Sequence, residues 1–548
     1  MSGAGVTTVV RPGARAAAGL ERALPTLNLG WALLALVGIF IVLSFNQYGI
    51  SNDEEVQHVY GRLLLAFYGS GFTDHAAFEY KNLYLYGGLF DLIAAGLERL
   101  LPSINVWDLR HLLSALFGLG GLAGTWLLAR RLAGGPAALA ALVVLALTGA
   151  WTGAMFTHTK DVPFATTMVW SLLFIVRILP SLPRPARADV IGLGIAIGCA
   201  FGLRVGAVFA VFYLGVGMMA AAWIRADELG ARLRFFWRSL RALLPAAGIA
   251  FVLMGVFWPW AMMSPANLVK AMTAFSHFSF ELDTILGGTV MKNGDVPGYY
   301  LSWYLLVRLP ELFLLGLVLG LLAALRMLPL LRKAAFRRLA LPWLPLILAA
   351  CVPLGYTLLA APPLYNGIRH FTFLLPPLAV IAGIGLTQAW FHAVRFTHAR
   401  RLATACCAVL ALGHGAALAH LHPYEYVAYN GFAGGLAGTV GEWEQDYWGA
   451  SLREAAEDLN AYVAHEGKSG RRYSVAVCAE ALQAQAWLDP RFTVTSDWTA
   501  ADFFLSPTQM GCDGALKGRV IGSVVREGVP LAIIRDRRHL TGDERIPL

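Results

Sequence analysis

The sequence has few charged residues for its length. Only 14% of the 548 residues are Asp, Glu, Lys or Arg, whereas 57% are hydrophobic, and the mean hydropathy is +0.59. Soluble globular domains carry a charge on about 25% of their residues. The shortage of charge therefore excludes a single soluble domain and predicts a multi-pass integral membrane protein.

Motifs of several soluble enzyme classes are also missing. No His-Glu-x-x-His motif and no pair of Cys-x-x-Cys motifs occur, and Gly467–Ser469 lacks the upstream glycine of a phosphate-binding loop. The segment Gly118–Gly120 lies inside an apolar run, where glycines favour close helix packing over dinucleotide binding. The sequence thus offers no site for a soluble nucleotide donor.

Eleven apolar segments are long enough to span a membrane. They are centred near residues 38, 119, 143, 171, 197, 214, 252, 314, 350, 381 and 411. Every second connection is basic, and with the N-terminal tail these connections hold about half of the 43 Lys and Arg residues. Basic loops stay in the cytoplasm, so the N-terminus is predicted to be cytoplasmic and the C-terminus exported. Because the net charge of +9 lies in these loops, no nucleic-acid partner is expected.

Three regions follow from this pattern. Residues 1–28 are expected to be a disordered cytoplasmic tail, residues 29–418 a transmembrane domain of about eleven helices, and residues 419–548 a small periplasmic α/β domain. In the first exported loop, the amphipathic run Leu89–Leu101 is predicted to be an interfacial helix. The C-terminal region alternates a helical stretch with four short β-like runs. Those strands are predicted at Tyr473–Val477, Phe503–Leu505, Val520–Val525 and Pro530–Ile534.

Acidic residues follow the first span directly, in the sequence Asn52-Asp53-Glu54-Glu55. Carboxylates at the end of a span are often only solvated, but a second acidic site occurs in the tight turn Thr157–Pro163, which contains His158, Lys160 and Asp161. Both sites are predicted to emerge on the same face. Ionisable groups at membrane depth are candidates for a functional site.

Cations also occur on the predicted exported side, against the overall charge trend. They are Lys81, near Glu79 and Tyr84 in the first loop, Arg204 between two spans, and Arg369 beside His370. Such cations suggest an anionic ligand such as a phosphate, although contact with a lipid headgroup would explain each one equally well.

Five ordered motifs resemble the C-type glycosyltransferases, in particular glycosyltransferase family 39. That family includes the protein O-mannosyltransferases and the bacterial enzyme that adds aminoarabinose to lipid A. The motifs are Asp53-Glu54, Glu79-x-Lys81, Lys160-Asp161-Val162-Pro163, Pro297-Gly298-Tyr299-Tyr300-Leu301 and Arg369-His370-x-x-x-Leu374-Leu375-Pro376-Pro377. Together they cover about residues 30–390. The prolines that usually follow the lysine in the aminoarabinose enzymes are replaced here by Asn82-Leu83, and the lumenal β-trefoil insert of the mannosyltransferases is missing.

The resemblance implies a role for each matching residue. Asp53, with Glu54 and Asp161, would form the catalytic acidic group. By the same resemblance, Lys81, Lys160 and Arg369 would hold the donor phosphate, and Arg204 and His158, outside the motifs, are further candidate contacts for it. The substrate would be lined by Glu79, Tyr299, Tyr300 and His370 of the motifs and by Tyr84 of the same loop.

The predicted function is that of an inverting glycosyltransferase in a bacterial inner membrane. It would move a sugar from a polyprenyl-phosphate donor to a hydroxyl of a lipid-linked glycan, lipopolysaccharide or protein on the periplasmic face. No cofactor is required by the sequence, and a divalent cation shared by the carboxylate oxygens of Asp53 and Asp161 stays open as an alternative. The alternatives are a membrane transporter and a non-catalytic subunit in envelope assembly. Transporters tend to have repeated halves and charges in the middle of the membrane, and the sequence shows neither.

Cysteines are scarce, with six in the chain. Four fall in predicted spans, where cysteine is usually a small buried hydrophobe. Cys478 and Cys512 are the two in the C-terminal region, and an oxidising compartment would favour a disulfide between them.

Overall fold

The structure is a computed structural model, and it describes residues 12–276, 281–467 and 471–547. It is mainly helical, with a small sheet near the C-terminus. The α-helices are α1 (Pro12–Ser44), α2 (Glu54–Gly69), α3 (Leu89–Leu100), α4 (Val106–Ala133), α5 (Gly135–Ala146), α6 (Gly149–Thr152), α7 (Ala154–Thr157), α8 (Asp161–Ile178), α9 (Arg187–Phe201), α10 (Val208–Arg225), α11 (Leu229–Phe257), α12 (Pro259–Met263), α13 (Pro265–Ser276), α14 (Tyr300–Arg308), α15 (Glu311–Met327), α16 (Ala334–Ala340), α17 (Leu344–Ala360), α18 (Leu375–Ala393), α19 (Thr397–Leu421), α20 (Leu452–His465) and α21 (Leu482–Gln485).

A helix lies at each of the eleven predicted spans. Nine helical segments of the described chain are long and apolar enough to cross a membrane, and a tenth crossing is formed if α5 and the pair α6–α7 are counted together. The chain bends by 74° between α5 and the segment Gly149–Thr157, which contains α6 and α7. The remaining predicted span is α9, whose 15 residues extend about 22 Å, less than the ~30 Å hydrocarbon core. The chain is therefore a multi-pass membrane protein, with one predicted span shorter than expected.

The order of the helices brings several helix ends together at one end of the bundle. The chain leaves α1 at the same end at which α8 begins, α9 finishes and α18 is entered, because side chains from these four places are in contact. We refer to this end as the site end. Helix α9 packs along both α8 and α11. Although it is short, α9 therefore returns the chain to the site end.

The structure describes the chain from Pro12, inside the region predicted to be a tail of residues 1–28. Residues 1–11 lie outside the described part, but α1 begins at Pro12 and continues without interruption into the first span. Between residues 14 and 24 the sequence contains several Ala, Leu and Arg residues, which have high helix propensity. The helix therefore begins well before the apolar segment.

The predicted interfacial helix is α3, and one of its faces is buried in the protein. Leu89, Phe90 and Ala94 pack against neighbouring helices, while Leu100 remains 76% exposed. Asp91 on the same helix forms a fully buried ion pair with Arg110 of α4, at 3.1 Å. The helix is thus fixed to the bundle along one side.

The seven strands are β1 (Asp283–Leu286), β2 (Thr289–Lys292), β3 (Tyr473–Val477), β4 (Phe492–Val494), β5 (Phe503–Pro507), β6 (Arg519–Arg526) and β7 (Val529–Asp536). The first two form a separate antiparallel hairpin. The others form one sheet of order β4-β3-β5-β7-β6, in which β3 is parallel to β4 and β5, and β7 is antiparallel to β5 and β6. All four predicted strands and the predicted helix α20 are present, so the C-terminal region is a small α/β domain.

Two features of these sheets were not predicted from the sequence. Strand β4 has only three residues, too few to show a hydrophobic period. The β1–β2 hairpin has a two-residue turn at Gly287-Gly288, and both glycines have positive φ. A Gly-Gly pair between short alternating runs is a recognised hairpin signal. The hairpin could therefore have been predicted.

The C-terminal domain is attached to the site end by hydrogen bonds to main-chain oxygens. Arg453 of α20 donates to the carbonyl oxygens of Asn46 and Tyr48, just after α1, at 2.7 and 3.0 Å. Arg308, at the end of α14, is buried and donates to the carbonyl oxygens of Tyr426 and Glu444 at 2.6 and 3.2 Å. The domain is therefore fixed against the ends of the spans.

Candidate active site

Two carboxylates occupy the positions at which the chain enters a helix at the site end. Asp53 directly precedes α2, and Asp161 is the first residue of α8. Their surroundings differ. The Asp161 side chain is only 5% exposed, whereas that of Asp53 is 43% exposed. Asp53 is therefore the carboxylate that a substrate can approach from outside.

Two arginines join these carboxylates. Nη2 of Arg369 donates to Oδ2 of Asp53 at 2.9 Å, and Nε of Arg369 lies 3.8 Å from Oδ2 of Asp161. Nη2 of Arg204 donates to Oδ1 of Asp161. We call Asp53, Asp161, Arg204, Arg369 and Lys160 the charge cluster. Four places far apart in the sequence thus meet at one point.

Lys160 supplies the third cation of the charge cluster. Its ammonium group lies 4.3 Å from the centre of the Tyr86 ring, and the guanidinium of Arg204 lies 5.7 Å from the same ring. Burial lowers the pKa of Lys160 to about 8, although the carboxylates of Asp91, Asp53 and Asp161 act in the opposite direction. The ammonium form therefore still predominates near neutral pH.

The charge cluster has more positive than negative groups, because three cations face two carboxylates. Within the described part of the chain, Nε of Arg204 and Nε of Arg369 are buried and have no hydrogen-bond partner. Buried donors that are left unpaired cost free energy. An anionic ligand with several acceptor oxygens, such as a phosphate, would bind both groups and balance the charge.

Aromatic residues from the C-terminal domain form one wall of the charge cluster. The indole ring of Trp448 lies 4.2 Å from the guanidinium of Arg369, and its N–H donates to Nε2 of His158 at 2.7 Å. The hydroxyl of Tyr447 lies 2.8 Å from the same nitrogen. The sequence of Asp446–Gly449 contains no local pattern that indicates a contact with His158, about 290 positions earlier in the chain.

The predicted role of His158 as a phosphate contact does not agree with its environment. The indole N–H of Trp448 can only donate, so Nε2 of His158 must be the acceptor and carries no proton. Burial, together with the charges of Arg369 and Arg308, holds the pKa of His158 well below its usual range. A neutral, enclosed imidazole cannot serve as a cationic phosphate ligand.

Glu54 was predicted to belong to the catalytic acidic group, but it points into the protein. Its side chain is fully buried, and its Oε2 accepts from the main-chain N–H of Ser51 at 2.8 Å. The same oxygen lies 3.3 Å from Nε2 of His111 on α4. Neither Ser51 nor His111 belongs to the charge cluster. Glu54 fixes the start of the helix instead of joining the charge cluster.

Glu79 and Lys81, the second motif of the first loop, are not brought to the charge cluster. Both side chains are exposed, and the ammonium group of Lys81 lies 5.8 Å from the ring of its neighbour Tyr80. Lys81 has φ +49°, in a turn between two short 3₁₀ segments. The loop therefore turns this pair to the surface, and the phosphate and substrate contacts predicted for it have no support in this arrangement.

The predicted substrate-lining residues are divided between surface and interior. Tyr299 is 57% exposed, whereas Tyr300 is buried, with its hydroxyl 2.8 Å from Oγ1 of Thr284. The Tyr84 ring packs 5.1 Å from the Trp260 ring. His370 is the residue that follows Arg369, and its ring lies 4.8 Å from that of Tyr365. Tyr365 also lies beneath the guanidinium of Arg369, at 5.2 Å, so His370 borders the charge cluster.

A divalent cation between Asp53 and Asp161 does not fit this arrangement. Within the described ranges, no group of three or more His, Cys, Asp or Glu residues has a metal-binding geometry. Both carboxylates also already pair with guanidinium groups. A metal ion would have to displace those arginines, so the residues present favour an anion.

The two cysteines of the C-terminal domain are joined as a disulfide. Cys478 follows β3 and Cys512 lies in a 3₁₀ turn after β5, with their Cα atoms 6.3 Å apart. The bridge therefore links the two ends of a segment of about 35 residues within the C-terminal sheet.

The solved structures similar to this chain are membrane glycosyltransferases. ArnT from Cupriavidus metallidurans in the apo state matches 93% of this chain and 98% of its own, at 15% identity and a TM-score of 0.45. ArnT bound to undecaprenyl phosphate matches 93% and 97%, at 14% identity and 0.46. The archaeal oligosaccharyltransferase AglB from Archaeoglobus fulgidus, in complex with an inhibitory peptide and a dolichol-phosphate, matches 87% and 69%, at 13% identity and 0.46.

These neighbours are C-type glycosyltransferases, the class that the ordered motifs predicted. No protein-family model and no curated protein sequence matches the chain. Identities below 25% and TM-scores below 0.5 are too low to assign a substrate or an activity. The function must therefore be argued from the residues of the charge cluster.

Proposed function

We propose that this protein is a glycosyltransferase that takes a sugar from a polyprenyl-phosphate donor and transfers it to an acceptor hydroxyl at the site end of the bundle. The observation that supports this most strongly is the charge cluster itself. Two arginines pair with the buried Asp161, Lys160 precedes it in the chain, and the partly exposed Asp53 lies at the edge. Among the described residues, Nε of Arg204 and Nε of Arg369 have no hydrogen-bond partner.

The cations would bind the donor phosphate and stabilise it as a leaving group. When the bond between the anomeric carbon and the phosphate oxygen breaks, the negative charge stays on the phosphate. Arg204, Arg369 and Lys160 are already held in place by Asp161, by Asp53 and by the Tyr86 ring. Such preorganised charges favour the transition state because they need little rearrangement.

Asp53 would act as the general base. Its Oδ2 accepts a hydrogen bond from Arg369, and its side chain is 43% exposed. Oδ1 can accept the proton of an acceptor hydroxyl while the hydroxyl oxygen forms the new bond to the anomeric carbon. A single displacement of this kind inverts the anomeric centre, releases polyprenyl phosphate and leaves the proton on Asp53.

An apolar groove supports a lipid-linked donor. Helices α9, α10 and α11 enclose a groove of about 360 Å³, and its lining includes Leu193, Ile197, Phe201, Leu214, Met218 and Met254. Phe201 lies at the end of α9, three residues before Arg204. A polyprenyl chain in this groove would place its phosphate near the cations.

The acceptor is proposed to be a lipid-linked glycan, a lipopolysaccharide or a protein on the periplasmic side of a bacterial inner membrane. This assignment depends on the basic loops, which favour a cytoplasmic N-terminus, and on the C-terminal domain beside the charge cluster. In this proposal the boundary of the C-terminal domain lies near residue 419, close to the end of α19 at Leu421.

The proposal is tested with purified protein in lipid nanodiscs and a panel of polyprenyl-phosphate sugars. We expect at least one donor to release free polyprenyl phosphate, detected by mass spectrometry, and a mixture of acceptors to accelerate the release. If wild-type protein releases none from any donor and also fails to bind polyprenyl phosphate, the proposal is wrong. Transport of the intact donor between leaflets would favour the transporter alternative.

A further inference from the structure

One side chain of the C-terminal domain contacts two elements of the charge cluster at once. Trp448 is 2% exposed, and its ring lies 4.2 Å from the guanidinium of Arg369. The N–H of the same ring donates to His158 at 2.7 Å, two residues before Lys160. Trp448 therefore lies between the entrances to α8 and α18.

The main chain around Trp448 is fixed on both sides. Asp446 accepts hydrogen bonds from the N–H groups of Ala450 and Ser451, at 3.1 and 3.0 Å, which closes a tight turn. Gly449 has φ +65°, a conformation that side chains with a Cβ rarely adopt. The turn therefore sets the direction in which the Trp448 side chain leaves the backbone.

Further hydrogen bonds attach this turn to the loop that contains Asp53. Nδ2 of Asn52 donates to the carbonyl oxygen of Tyr447 at 3.3 Å. Nε2 of Gln483 donates to the carbonyl oxygens of both Trp448 and Ile50, each at 2.7 Å. Gln483 is itself buried in α21 of the C-terminal domain. The same domain thus holds the aromatic wall and the segment before Asp53 in a fixed relation.

We propose that Trp448 is a positioning residue through which the C-terminal domain holds Arg369 in the orientation that binds the donor phosphate. The inference rests on the proposed function, because it takes Arg369 to be a donor contact. An arginine that is stacked on an aromatic ring loses less freedom when it binds an anion, since one face of the guanidinium is already fixed. Its Nε lies 3.8 Å from Oδ2 of Asp161 but makes no hydrogen bond within the described residues, so it can still donate one to the ligand.

The inference has a consequence for the domain organisation. The C-terminal domain would be a part of the active site instead of a separate binding module, because the wall beside Arg369 comes from it. His158 would have a supporting role in the same arrangement. It accepts from Trp448 through Nε2, and its Nδ1 lies 3.1 Å from Oγ1 of Thr157, so both sides of its ring are held.

A binding experiment with matched variants tests the inference. The full-length protein in nanodiscs is titrated with polyprenyl phosphate, and Kd is compared for wild type, Trp448→Leu and Trp448→Phe. A cation–π contact in a desolvated site contributes enough to change Kd by about 3- to 30-fold, so Trp448→Leu should bind more weakly by that factor. Trp448→Phe keeps a ring and should fall between the two.

Trp498→Leu is the matched control. Trp498 belongs to the same domain, and its ring packs 5.8 Å from that of Phe504 on strand β5 instead of on a guanidinium of the charge cluster. It should leave Kd unchanged. If Trp448→Leu fails to fold, as judged by its unfolding temperature and gel filtration, the Trp448→Phe variant takes its place in every comparison.

A double-mutant cycle separates positioning from a general structural effect. If Trp448 acts through Arg369, its substitution should have almost no further effect on Kd in an Arg369→Ala background. An equal loss of affinity in both backgrounds, or no loss in the wild-type background, would overturn the inference alone. Absence of polyprenyl-phosphate binding by wild-type protein would instead overturn the proposed function on which it rests.

Discussion

Replacing Arg369 by alanine removes the guanidinium that lies between Asp53 and Asp161. In the proposed donor complex, this group makes charge-assisted hydrogen bonds to the phosphate. Such bonds contribute about 1.5–3 kcal/mol each. If one is lost, the Kd for polyprenyl phosphate should rise by about 12- to 150-fold.

The structure also indicates that the Arg369→Ala variant should fold. Removing one partner of a buried ion pair is strongly destabilising when the other charge is left alone. Here Asp161 keeps its bond to Arg204, and Asp53 is 43% exposed and can be solvated. The loss in binding should therefore exceed the loss in stability.

The measurement is the Kd of polyprenyl phosphate in nanodiscs, with Arg62→Ala as the control. Arg62 lies on α2 in an ion pair with Glu98, and its side chain is 59% exposed. An exposed pair of this kind contributes about 0–1 kcal/mol. Equal affinity of Arg369→Ala and wild type would refute the reasoning. An equal loss in Arg62→Ala would show that the ligand senses only the general charge of the surface.

Three further predictions concern parts of the molecule outside the charge cluster. Burial raises the pKa of Glu444 to about 7, from an ordinary value near 4.5. The Glu444 carboxyl group therefore keeps its proton to a higher pH in the folded state than in the unfolded state. The free energy of unfolding should fall as pH rises from about 5 to about 8, by about 3 kcal/mol in total. Glu444→Gln should flatten the corresponding pH dependence of the unfolding temperature. Replacing Cys478 and Cys512 by serine should lower the free energy of unfolding of the C-terminal domain by about 3–4 kcal/mol on the chain-entropy account. Mass spectrometry of non-reduced digests should detect the two linked peptides. Two free thiols would contradict both the disulfide and an oxidising compartment. Alkaline phosphatase fused after Leu548 should be active and fused after Arg131 inactive, and the reverse result would invert the topology.

The sequence was sufficient for the arrangement of the spans and for the core of the charge cluster. Apolar runs and basic loops depend on local composition, which can be read without knowing the fold. Asp53, Asp161 and Arg369 stand next to the ends of apolar runs. Residues at the ends of spans on one predicted face lie at a similar depth in the membrane, so contacts among them could be expected.

Side-chain direction could not be predicted from the sequence. Asp53 and Glu54 are neighbours, yet one faces the charge cluster and the other is buried against His111. Consecutive residues at the start of a helix point about 100° apart, and which of them faces the site depends on how α2 packs. Lys81 was displaced for a similar reason, because the turn that contains it faces outwards.

Contacts between segments far apart in the sequence could not be predicted either. Trp448 and its partner His158 are separated by 290 residues, so no local pattern links them. Such a contact is set by the way the C-terminal domain is fixed at Arg308 and Arg453. Both arginines donate hydrogen bonds to main-chain carbonyl oxygens. Because every residue type carries such an oxygen, the sequence does not show which residues are the partners.

The catalytic role of Asp53 is the central claim, and one comparison tests it most directly. Asp53→Asn keeps the shape of the side chain but removes the proton acceptor, so turnover of a polyprenyl-phosphate sugar should fall by about 100-fold or more while donor binding largely survives. Glu55→Gln makes the same chemical change two positions along the chain, at a partly exposed carboxylate outside the charge cluster, and should leave turnover near the wild-type rate. Near-normal turnover by Asp53→Asn would contradict the account.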